Sequence, residues 1–593
     1  MSGVAGIVRI VRTSVRISPL ATVFCLLETA AQLLYVLQPL FLGWLLSGLT
    51  GSGSRYVVQG VVGLVASLGL STALRLVGIN TRLRQMERIG HVLDTAVADA
   101  TARVPTLAHL ENPEFLDRTQ ILRDHQGVLG GTFNQLVAAL TMGIGACATV
   151  VLAAALDWRL LLLVTASVPR LALTRWLHRA GARAELAAAE PGRLTGDLVG
   201  LCLSARSAAE IRVYGMGSRL RAVLRQSASG WLGPGTRLGV RQSLLSAGQL
   251  LLFCLTTAIV LTWMARDVGA SGVAPTALGA AVLMVGRLNG VISTAVASLG
   301  TIGQLLRNAE RFEWLLSFAD RSVSRARTGT EEAVAGPVVL RNVCFRYRPG
   351  ADFALREVNL TIEPGSTVAI VGDNGAGKST LVKLVCGLYK PTCGTVRAGS
   401  VDIHDLAPGA WAEQLTGAFQ DYLRLEVAAG EAVGVGDLSA GMHAERIGQA
   451  LRSARAEAMV SRLPEQLRTQ LGAHWPGGID LSSGQWQSLA LARAMMRPAA
   501  RLLVLDEPTA ALDAEAEHAA FEHYKSLAAG MASWGASAVL VTHRFSSAAI
   551  ADHIVVLRGG AIIEEGSHGN LMERAGEYAR QYSMQAAGYA RDR

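Results

Sequence analysis

The run Gly372-Asp373-Asn374-Gly375-Ala376-Gly377-Lys378-Ser379-Thr380 limits what this chain can fold into more than any other stretch. It meets every fixed position of G-x-x-x-x-G-K-[ST]. The apolar residues Val368–Val371 before it read as a buried strand, and Leu381–Val385 after it as a helix, which is the setting the motif needs. Glycines let backbone N–H groups turn inward around phosphates, and the helix N-terminus adds positive potential. Lys378 reaches the β- and γ-phosphates, and Ser379 offers a hydroxyl to Mg²⁺. The chain therefore contains an α/β unit that binds a nucleoside triphosphate.

The rest of the 593 residues are not all of that kind. Half are hydrophobic and only 17% charged, against about 25% charged in ordinary soluble domains. The mean hydropathy is +0.33, and the apolarity gathers before about residue 315. A helix needs about 20 apolar residues to cross a hydrocarbon core of roughly 30 Å. Six such spans are expected, at about 18–48, 55–79, 127–156, 158–178, 241–264 and 275–300. Pro39 is expected to kink the first. Only Asp157-Trp158-Arg159 separates the third from the fourth.

Arginines orient these spans. Arg9, Arg12 and Arg16 precede the first, and arginines crowd the two long connections after the second and fourth, whereas the opposite loops hold little beyond Arg55, Arg159 and Arg266. The positive-inside rule places the N-terminus, both connections and the nucleotide-binding half in the cytoplasm. The formal charge of +9 is mostly this juxtamembrane arginine, and no nucleic-acid motif accompanies it. Lysine is confined to Lys378, Lys383, Lys390 and Lys525, which reads as an arginine-for-lysine coding bias of a GC-rich bacterium. Seven scattered cysteines without C-x-x-C argue against disulfides or zinc. No cleavable signal is expected, because the first helix is too long for a signal-peptide core.

Further motifs follow a polar linker at 319–335, which divides a membrane domain, 1–318, from a nucleotide-binding domain, 336–593. Tyr347 offers an aromatic platform for adenine; the alternative is a surface strand tyrosine. Leu502–Leu505 reads as a buried strand delivering Asp506 and Glu507. Buried carboxylates are costly unless used or paired. Asp506 suits the Mg²⁺ shell, and Glu507 suits accepting the proton of an attacking water.

Between them lies Leu481-Ser482-Ser483-Gly484-Gln485 ahead of a helix-forming run. This pentapeptide resembles the signature motif of the ABC ATPases, with serine at 483 where the usual form has glycine. Gln420 is similarly placed to the family's Q-loop glutamine, Asp513 to its D-loop aspartate and His543 to its switch histidine. The resemblance covers essentially the whole chain and implies an exporter-type fold: six transmembrane helices followed by an ABC ATPase. It implies ATP and Mg²⁺ as ligands, Gln420 beside Mg²⁺ and the attacking water, and His543 in catalysis. It also implies a dimer, in which Ser482, Gly484 and Gln485 of one copy close over the nucleotide held by the other. A homodimer is the economical arrangement, and a heterodimer with another half-transporter is the alternative. Coupling helices are expected at Glu111–Asp117, where Asn112-Pro113 signals a helix start, and at Ala209–Gly215.

Glu111-Asn112-Pro113-Glu114-Phe115, Phe419–Arg424 and Leu481–Gln487 resemble the branch that exports lantibiotic-type modified peptides. The acidic residue usual before the signature in multidrug-type exporters is missing from His474–Asp480. A leader-cleaving cysteine peptidase domain is not expected ahead of a helix beginning within about 20 residues of the start. A lipid or drug exporter and a siderophore importer use the same chassis, and an ATPase that gates a partner is the reading from another class. Within the spans, Glu28, Arg75 and Arg287 are candidates for substrate contact or for structural ion pairs.

Overall fold

A computed structural model describes the chain apart from residues 1, 35–36, 50–53, 125–128, 271–274, 325–333, 408, 440, 508–525, 527–528, 531, 533–534 and 592–593. It divides into two compact units, Met1–Arg103 with Leu110–Asp320, and Val104–His109 with Arg321–Arg593.

The first unit is helical. Ser54–Ala102, Thr132–Leu156, Trp158–Leu203 and Gly217–Arg266 are long and apolar enough to cross a membrane. A fifth span comes from Gly3–Ile17 and Pro19–Thr29 if that pair, bent by 108°, is counted as one. The segment expected as the sixth span lies in the helix Pro275–Ser324. Residues 35–36 of the first expected span lie outside the described residues; after them the helix Gln38–Ser47 carries Pro39 in its first turn, where the missing N–H costs nothing. The second span is half of a 49-residue helix, about 74 Å long at 1.5 Å per residue. The connection expected after it is largely that same helix continuing. Asp157 makes the tight break between spans, its carboxylate accepting the Arg159 N–H at 2.9 Å. Trp158 lies edge-on to Trp263 at 5.8 Å, with Arg159 over the Trp263 ring, as aromatic and cationic groups sit at a membrane surface.

Glu28 is buried and pairs with Arg82 at 2.9 Å, and a Cβ at Gly78 would run into its carboxylate. Glu28 is thus a structural ion-pair member, while the Arg75 side chain lies outside the described residues. Asn112 starts the helix Pro113–Asp124 as expected, its side chain accepting the Glu114 N–H at 2.9 Å. Ala209–Val213 ends the helix Ala205–Val213, and Gly215 follows at φ +60°.

The second unit holds two sheets. β1 (Val338–Phe345), β2 (Leu355–Ile362), β4 (Cys393–Ala398) and β5 (Val401–Asp402) form an antiparallel sheet of order β2-β1-β4-β5. The second sheet runs β10-β9-β3-β8-β7-β6. Its strands are β3 (Thr367–Gly372), β6 (Leu415–Ala418), β7 (Leu502–Asp506), β8 (Ser537–Val541), β9 (His553–Arg558) and β10 (Ala561–Gly566). All pair in parallel except the edge strand β10. β7 and β8 are buried along their whole length, as parallel strands covered on both faces must be. Because they are parallel, the carboxyl ends of β6, β7, β8 and β3 open on one edge, where ligands bind in open α/β sheets. Leu107, in the early segment Val104–His109 that groups with this unit, donates its N–H to the Leu388 carbonyl at 2.8 Å.

Candidate nucleotide site

Four of the parallel strands each deliver one part of the site. β3 runs into the phosphate loop. Gly372, Gly375 and Gly377 hold φ of +150°, +81° and +105°, a region that L side chains avoid. A Cβ at Gly377 would stand 2.8 Å from the Ala354 carbonyl oxygen, so the loop has no room for a larger residue. The helix Lys378–Val385 follows at once. Lys378 is 6% exposed, and its ammonium donates to the carbonyls of Gly372 at 2.8 Å and Asp373 at 3.1 Å. Burial pulls its pKa down, opposed by Glu507, Asp506 and Asp373.

β7 ends in the two acids. Asp506 is 7% exposed; burial first, then the Glu507 charge, push its carboxyl up to about 6. Its buried Oδ1 has no hydrogen-bond partner among the described residues. Glu507 takes φ +49°, strain of about 1–3 kcal/mol for a residue other than glycine. Its N–H, bonded to the Val541 carbonyl at 3.0 Å, holds it there. β6 leads to Gln420, which donates to Glu507 Oε2 at 3.1 Å. β8 leads to His543, whose Nδ1 lies 3.6 Å from Glu507 Oε1.

The cleft between these groups encloses about 550 Å³ and is lined by Asn374, Gly375, Gly377, Lys378, Ser379, Thr380, Gln420, Glu507, His543, Tyr347 and Ala354. Tyr347 stands at its edge, its hydroxyl 2.9 Å from Thr380 Oγ1. Its ring lies edge-on to Phe345 and Tyr389. Ala376 is buried in the core beneath the loop.

Ser482, Gly484 and Gln485 do not line this cleft. They begin the helix Ser483–Ala494, where Ser482 Oγ accepts the Gln485 N–H and the Gln485 side chain accepts the Ser482 N–H. Ser483 uses its carbonyl, accepting from the Tyr422 hydroxyl at 2.9 Å, a contact that glycine would supply equally. Asp513 lies outside the described residues.

One contributor had no signal in the sequence. Gln585, on the C-terminal helix Glu577–Arg591, accepts the Phe545 N–H at 2.8 Å and donates to the His543 carbonyl at 3.1 Å. It brackets the backbone that carries His543. A glutamine on an amphipathic helix cannot be singled out by pattern.

Residues 355–510 match the ABC transporter family. The chain carries an ABC transporter ATP-binding domain. Among the described residues, four helices before this domain are long and apolar enough to cross a membrane. The chain is 33% identical over 312 residues to the nisin transport ATP-binding protein NisT of Lactococcus lactis subsp. lactis, covering 51% of each chain. It is 36% identical over 289 residues to an ATP-dependent lipid A-core flippase of Cupriavidus metallidurans, covering 48% of this chain and 47% of that one. The matches thus span about half the length of these relatives. The fold is shared with a bacterial Atm1-family ABC exporter solved with ATP bound: TM-score 0.69, 22% identity, 97% of this chain and 98% of the other.

Proposed function

We propose that this chain is an ATP-hydrolysing half-transporter that pairs with a second copy and exports a modified peptide across a bacterial cytoplasmic membrane. The observation that carries the ATPase part is the Glu507 carboxylate, held between Gln420 and His543 at the carboxyl edge of the sheet and facing the phosphate loop. We assign 1–318 to the membrane domain, 319–335 to the linker and 336–593 to the cytoplasmic ATPase.

On this reading the two hydrogen bonds that Lys378 makes to loop carbonyls are exchanged for bonds to the β- and γ-phosphates. The N–H groups of Asp373 to Thr380 surround the phosphate chain, and Tyr347 stacks on adenine. Asp506, Ser379 and Gln420 would hold Mg²⁺. The buried Asp506 Oδ1, lacking a hydrogen-bond partner among the described residues, and the carboxylate–hydroxyl–amide oxygen set suit a hard cation. That ion supplies neutralisation of phosphate charge. Glu507 accepts a proton as water attacks the γ-phosphorus and the bond to the β-phosphate oxygen breaks, giving ADP and phosphate. His543 and Gln420 orient the Glu507 carboxylate.

Dimerisation follows from the signature residues standing away from the cleft of their own chain. Ser482, Gly484 and Gln485, with Asp513, complete the partner copy's site. ATP then binds the closed pair better than the open one, which is the differential affinity needed to drive a two-state change. Similarity to a nisin transport protein and the short motifs around Gln420 and Ser482 support a peptide cargo. Similarity to a lipid A-core flippase keeps a lipid cargo as the second reading. Purified protein in proteoliposomes tests both. ATPase stimulation and ATP-dependent movement by peptide, but not by lipid, supports the first; the reverse overturns it. ATP turnover with no solute moved would return the chain to the gating class.

A further inference from the structure

Two cysteines far apart in the chain face each other in the antiparallel sheet. Cys344 on β1 is paired with Cys393 on β4, and the Cys344 sulfur is held at the bulge by the Asn342 carbonyl, to which it donates, and by the Glu357 N–H, which it accepts at 3.5 Å. The pairing is made by a bulge. Arg341 opposes Thr395, so a regular antiparallel ladder would set Val343 against Cys393 and Cys344 against Thr392. The register slips between Arg341 and Cys344 instead, with Asn342 at φ +48°. Asn359 braces the slip, accepting the Asn342 N–H at 2.8 Å and donating to the Asn342 side chain at 3.1 Å. Gly394 fits beside it at φ +80°, where a Cβ would run into the Asn342 carbonyl. One extra residue thus turns two unrelated positions into a facing dithiol. Cys393 is exposed and Cys344 half-buried, so one sulfur is open to reagent and the other waits behind it.

We propose that Cys344 and Cys393 form a reversible disulfide site that lowers nucleotide affinity when oxidised. The oxidant is a small-molecule disulfide. The Cys393 thiolate attacks one sulfur of that disulfide, whose S–S bond breaks and releases one thiolate. Cys344, losing its proton to solvent, then attacks the Cys393 sulfur and expels the second. Two protein thiols are oxidised and one external disulfide is reduced to two thiols. Exposed pairs of this kind in the cytosol act as transient redox sensors. The Cys344 thiol beside it holds the Cys393 thiol above its ordinary pKa, so bridging speeds up as pH rises.

The link to nucleotide runs through Thr392, the neighbour of Cys393, and rests on Tyr347 being the adenine platform. Thr392 donates its N–H to the Cys344 carbonyl at 2.8 Å, and its hydroxyl accepts the Arg346 N–H at 3.1 Å. These bonds hold the end of β1 from which Tyr347 projects. A disulfide imposes its own Cα spacing and dihedral, and so shifts the two strands from the spacing that the free thiols allow. That shift carries Tyr347 off its station beside Thr380.

Full-length protein in lipid nanodiscs, treated with oxidised glutathione near pH 8, is mapped by peptide mass spectrometry, and binding of a fluorescent ATP analogue is read on the same samples. The expected result is a Cys344–Cys393 cross-linked peptide that dithiothreitol removes, together with weaker analogue binding than in the reduced protein. In Cys344→Ser, Cys393 should instead keep a glutathione adduct, and Cys393→Ser should show no oxidation-dependent loss of affinity. Wild-type Cys393 left free or carrying only glutathione overturns the site. A bridge that forms with affinity unchanged overturns its link to nucleotide. Lys378→Ala separates the two readings: if it leaves analogue binding intact, the nucleotide assignment fails, while the bridge is judged on the peptide map alone.

Discussion

Gln420 donates to one oxygen of Glu507 at 3.1 Å while His543 stands 3.6 Å from the other. The two come from the ends of β6 and β8, on either side of the strand that carries Glu507. The carboxylate is therefore aimed by its neighbours and by its own left-handed backbone, the orientation that the proposed role as base needs.

Replacing Glu507 with glutamine keeps the shape and removes the base. ATP binding should persist while phosphate release falls by about 10²–10⁴-fold, and the paired ATPase domains should remain closed on ATP. Phosphate release and ATP retention on the purified mutant check this. Turnover equal to the wild type would remove Glu507 from the role of base.

Much of the site was legible because of where it sits. Phosphate loop, Asp506–Glu507 and His543 each follow a short apolar run, and those runs became the buried parallel strands β3, β7 and β8. Polar residues at the ends of such strands stand out. Gln585 did not, because its role depends on a helix packing back on the His543 segment. The length of Ser54–Ala102 was hidden for another reason. Hydropathy marks where a helix leaves lipid, but the helix goes on as long as its backbone bonds do.

Asp506 gives a pH signature. Its folded pKa of about 6 lies above the ordinary 3.8, so the native state holds the proton more tightly than the unfolded chain. The stability this contributes is fully present below about 3.8, and is lost as pH rises to about 6. The melting temperature of Asp506→Asn relative to wild type should therefore climb across that window and level off above it. Mg²⁺-dependent ATP affinity should move oppositely in the wild type, weakening as pH falls below about 6, with a flatter profile in Asp506→Asn. Parallel profiles in the two proteins would contradict the assignment.

Stacking on Tyr347 should be separable from its hydrogen bond. Removing the ring in Tyr347→Ala should cost about 1–3 kcal/mol of nucleotide affinity. Tyr347→Phe keeps the ring, loses the Thr380 contact and should cost about 1 kcal/mol or less. Equal losses in a nucleotide titration of the two variants would point to the hydroxyl rather than to stacking.

Gln585 should behave as a positioning residue. Gln585→Ala removes two backbone hydrogen bonds worth about 1 kcal/mol each. It should lower kcat several-fold with the KM for ATP unchanged. Gln585→Glu keeps the acceptor for Phe545, loses the donor to His543 and should fall between. A change confined to KM, or to thermal stability, would make the contact structural only.

The most direct test of export compares the culture medium and cell extract of native cells carrying wild-type protein with those carrying Glu507→Gln, by mass spectrometry of small peptides and lipophilic metabolites. The account predicts a peptide missing from the mutant's medium and accumulating inside its cells. Identical medium and extract profiles in the two strains would contradict it.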